Sequence, residues 1–235
     1  MRIDEILVTY GALEKSDVKK YLRADRVTVD GKVVRALNFQ LDAAVNQLTL
    51  DGKTITFPPH RYLMLNKPVR ILSANKDAHL KTVLDLLPDS VDKKGLAIIG
   101  RLDFLSEGLL LLTDNGKLAR NLTKPEAHVT KVYEVETKES LSADDVTAFK
   151  QGLVIDGNVA LAPSELVILS EHRARVTIIE GKNRQIRKMF LSTGKLVARL
   201  TRQKIGPIEL DETLSAGQYR NLTSSEIRSL APFFN

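Results

Sequence analysis

The chain has 235 residues, enough for one large domain or for a small domain joined to a medium one. It contains no cysteine, which excludes disulfides, thiolate nucleophiles and Cys-ligated zinc, and no apolar run approaches the roughly 18–20 residues needed to span a bilayer. A net charge of +6, an apolar fraction of 43% and a charged N-terminal stretch without a leader-like segment predict a cytoplasmic protein with no membrane partner and with affinity for a polyanion.

In chain order, Ile3, Ile6 and Leu7 repeat at helical spacing, as do Val18, Tyr21 and Leu22. Two Asp-Gly pairs, Asp30-Gly31 and Asp51-Gly52, then sit between short alternating segments. Each predicts a tight hairpin, because both central residues of that turn need positive φ. Residues 1–57 therefore read as two short helices followed by a small curled sheet. Pro58 and Pro59 can continue neither a ladder nor a helix, so a linker is expected over 58–61 and a second domain over 62–235.

Beyond the linker, Tyr62 to Asn66, Val132 to Thr137 and Ala174 to Ile179 read as strands. Ser142 with Asp145, and Thr223 with Glu226, have the spacing of capping boxes. The first of these precedes Val146, Phe149 and Leu153, which share one helical face. There is no internal repeat, and strands and helices do not alternate regularly, so the expected class is α+β.

Several chemistries fall away. No two glycines are two residues apart, which removes dinucleotide and S-adenosylmethionine loops of the G-x-G kind. Gly95 and Gly100 have the spacing of a phosphate loop, but Arg101-Leu102 follows where Lys-Ser/Thr is required. The four histidines are scattered. Neither metal nor cofactor is expected.

Charge is unevenly distributed. Residues 1–57 carry 9 Lys/Arg against 8 Asp/Glu, whereas Arg173 to Lys204 holds ten basic residues and one acidic residue, Glu180. On a helix through 184–193, Arg184, Arg187 and Lys188 share one face, and Ile186, Met189 and Phe190 share the other, with Gly194 as a stop. That predicts an apolar side on the core and a positive stripe along a nucleic-acid cleft.

A lone loop aspartate most often closes a turn or pairs at the surface, and Asp103 taken singly would be read so. Its context is Gly100-Arg101-Leu102-Asp103-Phe104-Leu105-Ser106-Glu107-Gly108-Leu109-Leu110-Leu111-Leu112-Thr113. This string resembles the G-R-L-D-x-x-T-x-G-L-L-L-L-T motif of pseudouridine synthases of the small-subunit rRNA type and their large-subunit relatives, with Ser106 for the usual Thr. Leu65-Asn66-Lys67-Pro68, Lys131-Val132-Tyr133 and the stretch from Glu180 to Phe190 resemble three further motifs of that family. The first 57 residues resemble an S4 RNA-binding domain. Arg70 stands where the family usually has glycine, and Asp17 where S4 domains often have arginine.

The resemblance implies an S4-like domain followed by a catalytic domain built on a mixed, mainly antiparallel sheet with flanking helices. It implies Asp103, Tyr133 and Arg187 as the catalytic set, with Asp103 acting at C1′ of the target uridine, either as nucleophile or as proton acceptor while a glycal forms. Arg187 would keep that carboxylate ionised, and Tyr133 would lie against the uracil. Arg101, Asn66, Lys67, Lys182, Arg184 and Lys188 are the expected RNA-binding residues. The implied partner is ribosomal RNA, 16S in particular and in an assembling 30S particle, bound by a monomer. A 23S target is the alternative, because Lys182-Asn183-Arg184-Gln185 resembles large-subunit members. A non-catalytic assembly factor is disfavoured, since a binder has no use for a carboxylate in the path of an anion.

Overall fold

The computed structural model describes residues 1–234. By its contacts the chain divides into two units, Met1–Tyr62 together with residues 222–234, and Leu63–Asn221.

In the first unit, α1 (Ile3–Thr9) and α2 (Lys15–Arg23) turn Ile3, Ile6, Leu7, Val18 and Leu22 inward, each at most 1% exposed. They meet Val27 and Val29 of β1 (Val27–Val29) and Leu48 of β3 (Leu48–Leu50) in one apolar cluster. β2 (Lys32–Val33) and β4 (Lys53–Ile55) complete a four-stranded sheet in the order β2-β1-β3-β4. Both expected hairpins form: Asp30 and Gly31 have φ of 51° and 75°, and Asp51 and Gly52 have 53° and 76°. Residues 222–234 belong to this unit, although a second domain was expected to run unbroken to 235. Leu222 donates its N–H to the Tyr62 carbonyl, and the Tyr62 ring meets Phe234 edge-on at 6.1 Å. The Tyr62 hydroxyl in turn donates to the buried Asp42 carboxylate. This tail includes α6 (Ser224–Ser229), capped by the expected Thr223–Glu226 box.

The second unit is built on a nine-stranded mixed sheet. Its strands are β5 (Tyr62–Lys67), β6 (Ala97–Ile99), β7 (Glu107–Thr113), β8 (Lys131–Thr137), β11 (Glu165–Ser170), β12 (Arg173–Ile178), β13 (Val197–Ile205), β14 (Ile208–Glu209) and β15 (Tyr219–Asn221). β9 (Val154–Ile155) and β10 (Val159–Ala160) form a separate hairpin. The main path runs β11-β12-β8-β13-β7-β5-β15, with β6 on β7 and β14 on β13. β13 is antiparallel to β8 and parallel to β7, so the sheet is mixed at its centre. β7 is buried along Gly108–Thr113, and its leucine run suits a strand covered on both faces.

Helices α3 (Gly116–Thr123), α4 (Ala143–Gln151) and α5 (Gln185–Ser192) accompany this sheet. α4 opens on the expected capping box and stops at Gly152, φ 91°, so Leu153 packs on the core from beyond the helix. Ile186, Met189 and Phe190 of α5 enter the core, and Gly194, φ 76°, follows the helix end. The other face of α5 differs from expectation. Arg184 lies outside the helix in the left-handed region, φ 50°, and the helix starts one residue later.

Candidate active site

Asp103 lies on the tight turn between β6 and β7, and separate elements hold the carbonyls of that turn. The Asp103 carbonyl accepts from Lys67 Nζ (3.2 Å) and from Ser106 N–H (3.0 Å). Phe104 accepts from the Arg70 N–H (2.6 Å), Leu105 from Arg187 (2.7 Å), and Ser106 from Lys67 Nζ (2.8 Å). Just upstream, Ser73 Oγ donates to the Leu102 carbonyl (2.7 Å) and accepts its N–H (3.1 Å). Fixing a turn this completely removes the freedom that would otherwise blur the position of its carboxylate.

Lys67 and Arg70 explain how the turn is gripped. Lys67 ends β5 with no exposed surface, and its third donor goes to Pro68 O at 2.9 Å. Burial pushes its pKa down to about 8; the nearby charge of Asp103 opposes that shift, Arg202 adds to it, and Glu107 opposes it more weakly. Arg70 adopts φ 64° to aim its N–H at Phe104. That conformation costs an L-residue roughly 1–2 kcal/mol and costs glycine little, so a glycine preference at this position has a backbone cause.

Asp103 faces a cleft of about 540 Å³. Lys131 and Tyr133 are two apart on β8 and therefore share a face, and both line the cleft. Tyr133 is buried to 7% exposure in the core cluster, and its hydroxyl has no hydrogen-bond partner among the described residues. Opposite Tyr133 in register stands Arg202 of β13, almost wholly buried. Its guanidinium donates to Leu109 O (2.8 Å) and Gly100 O (2.6 Å) and reaches the cleft wall. Lys131 Nζ donates to Val129 O (2.9 Å), and burial, with help from Arg202, lowers its pKa.

The remaining wall is the segment before α5. Glu180 accepts from Gln185 Nε2 (2.9 Å) and Ala162 N–H (3.1 Å), which shapes this loop around it. Lys182 donates to Ala160 O at 3.3 Å, and the exposed Arg184 side chain has no partner among the described residues. The cleft thus carries Arg101, Lys124, Lys131, Lys182, Arg184 and Arg202 against two carboxylates, Glu180 and Asp103. Glu180 is engaged by its hydrogen bonds. The Asp103 carboxylate, half-buried, receives no hydrogen bond or ion pair from the described residues.

The structure therefore brings together Asp103, Tyr133, Arg101, Lys182 and Arg184. Arg187 stands one layer back. Its guanidinium donates to Val197 O (3.0 Å) and Leu105 O (2.7 Å), and its Nε is buried without a partner. Burial lowers its pKa while Asp103 opposes that shift, so the two charges sense each other without direct pairing. Three residues expected to touch RNA have other duties. Lys67 is the buried clamp described above, Asn66 donates its amide to Leu214 O (2.7 Å), and Lys188 pairs with Asp156 at 2.6 Å. The positive stripe along α5 is accordingly absent, because its outward cations are spent on carbonyls and a carboxylate. Three cleft cations, Lys124, Lys131 and Arg202, escaped sequence reasoning. Lys131 stands in the K-x-Y string itself, whereas nothing local marks Arg202 as the inward-facing arginine of a basic segment.

Comparison with known proteins places the chain in a family. Residues 61–192 match the family described as RNA pseudouridylate synthase, and residues 1–44 match the S4 domain. An uncharacterised RNA pseudouridine synthase of Bacillus subtilis is 35% identical over 234 residues, covering 98% of each chain. The ribosomal small subunit pseudouridine synthase A of Vibrio cholerae is 35% identical over 231 residues, covering 98% of this chain and 99% of its own. A solved pseudouridylate synthase structure superposes with a TM-score of 0.69 at 31% identity, covering 98% of this chain and 99% of that one.

Proposed function

Since the chain belongs to the RNA pseudouridylate synthase family and carries an S4 domain ahead of the catalytic one, we propose that it isomerises a uridine of 16S ribosomal RNA and that Asp103 carries the reaction. The small-subunit target is favoured over 23S rRNA by full-length similarity to relatives named for the small subunit. The protein acts as a monomer on rRNA still accessible during assembly of the small subunit, because a uridine must leave its stack to reach a recessed carboxylate.

One observation carries the assignment of Asp103. It is the cleft carboxylate that receives no hydrogen bond or ion pair from the described residues, and it is fixed by its backbone at the edge of a cationic pocket. The isomerisation breaks the N1–C1′ bond, turns the uracil, and joins C5 to C1′. The proton on C5 is lost and N1 gains one, so the net composition is unchanged. An ionised Asp103 at C1′ serves this chemistry as nucleophile or as base. Tyr133 lies where the uracil plane would rest, with a hydroxyl free to assist removal of the C5 proton. Arg101, Lys182 and Arg184 hold phosphates at the rim. Arg187 keeps the turn in place through Leu105 O and contributes positive potential beside Asp103.

The test is tritium release from 16S and 23S transcripts labelled at C5 of uridine. Wild type should release label from 16S RNA, and Asp103→Asn should release none while still binding it. Substantial release by the variant would remove Asp103 from the mechanism. Preferential release from 23S RNA would move the target to the large subunit.

A further inference from the structure

A second, smaller groove of about 360 Å³ adjoins the catalytic cleft, and Arg101, Asp103, Asn183 and Arg184 line both. It continues past Phe104 to Leu72 and Asp77. We propose that this groove binds the nucleobase of the nucleotide adjacent to the target uridine, stacked on Phe104. The inference rests on the reading of the larger cleft as the uridine site.

Four features support it. A polymer whose uridine fills the larger cavity must pass on across a shared boundary, and the smaller groove opens there. Phe104 is half-buried, lines the groove, and has no aromatic neighbour among the described residues, so no other ring occupies the place a base would take on it. Its backbone is held by the Arg70 N–H at 2.6 Å, so the platform is rigid. The groove is also polar in one sense. Arg101 and Arg184, exposed and with side chains unpartnered among the described residues, stand at the end shared with the cleft. Asp77 stands on the other part of the lining, kept ionised by the His79 and Leu80 N–H groups. A phosphate is drawn to the arginine end and repelled by the Asp77 carboxylate, so what enters beyond Phe104 is the base. Asn183, whose side chain has no partner among the described residues, is available to the base edge.

The groove and the function are tested separately with the full-length protein. The groove is read with a nonaribonucleotide containing one uridine and 2-aminopurine on its 5′ or its 3′ side. Fluorescence should be quenched on binding at one side only, because one groove takes one neighbour. Quenching should disappear in Phe104→Ala and Phe104→Leu and persist in Phe104→Tyr. On a 16S rRNA fragment, removing that neighbouring base should lower wild-type kcat/KM by about tenfold. Phe104→Ala should show the same loss on intact RNA and no further loss on the abasic one. Quenching at neither neighbour, quenching indifferent to Phe104→Ala, or additive losses would overturn the subsite. Absence of turnover by wild type together with Phe104-dependent quenching would overturn the uridine chemistry and leave the base-binding groove standing.

Discussion

Lys67 carries its charge below the solvent-exposed surface, and it gains there the carbonyls of Pro68, Asp103 and Ser106. A buried ammonium is tolerable when its donors are satisfied, yet the depressed pKa shows that burial still outweighs the compensation. Because the folded pKa is about 8 and an unfolded lysine titrates near 10.4, the unfolded chain binds more protons between these values. Linkage then makes this residue's contribution to stability rise with pH across that window. Activity should move the other way. Above about pH 8 the neutral amine donates one hydrogen bond fewer and the Asp103 turn loosens. We expect wild-type kcat/KM to fall there without any loss of folded protein, whereas Lys67→Met should be slow at every pH and lack the inflection. A pH–rate profile, with circular dichroism at each point, checks this; a flat wild-type profile through the window would show that the neutral amine suffices. At this scale the sequence motifs pointed to Asp103 and Tyr133, and the fold places both on one cleft. The sequence did not show that Lys67, Asn66 and Lys188 are engaged within the protein, because a donor's place in a motif does not reveal whether it meets a phosphate, a carbonyl or a carboxylate.

Elements were legible where their cause is local. The Asp-Gly hairpins and the two capping boxes depend on residues within a few positions of one another, and they form as expected. The start of α5 was misread because the left-handed Arg184 leaves no trace in a 3.6-residue period. The close approach of β7 to β13 was hidden for a similar reason, since it depends on one glycine and a distant strand. Gly108 has φ 99°, and a Cβ there would fall 2.8 Å from Arg202 N and against its carbonyl. Gly108→Ala should force β13 away, at a cost of about 2–4 kcal/mol from strain and overpacking together. Arg202 would shift with the strand, so catalysis should fall even at temperatures where the variant remains folded. Urea midpoints and kcat/KM measured side by side test both parts. An alanine variant with an unchanged midpoint would mean that the two strands separate freely.

Across the whole molecule, four motifs far apart in sequence converge because the sheet order is not the chain order. β5 delivers Lys67 beneath the turn that carries Asp103, and β8 and β13 place Tyr133 against Arg202. None of these pairings could be read from hydrophobic pattern, which fixes faces but not neighbours; family resemblance supplied the convergence instead. The tail after β15 was unreadable for a related reason. Leu222, Ile227 and Leu230 look like any closing helix, and long-range contacts, those to Tyr62 among them, assign them to the first unit. This division has a consequence for truncation. The cluster that contains Leu65, Leu112, Tyr133 and Phe190 lies entirely within 63–221, as do all the cleft residues. A fragment of 63–221 should therefore unfold in one cooperative transition and keep kcat on a short RNA within a few-fold of the full chain. The rest of the chain includes α2, whose Lys15, Lys19, Lys20 and Arg23 are exposed, while Arg2, Arg26 and Arg35 are tied to Asp4, Asp51 and Asp25. Removing it takes away a compact basic face despite its near-neutral total charge. The loss should appear as a fall of about tenfold or more in kcat/KM on folded 16S rRNA, with a shallower salt dependence. Equal losses on the short and the folded RNA would mean that the first unit supports the cleft itself rather than the grip on rRNA.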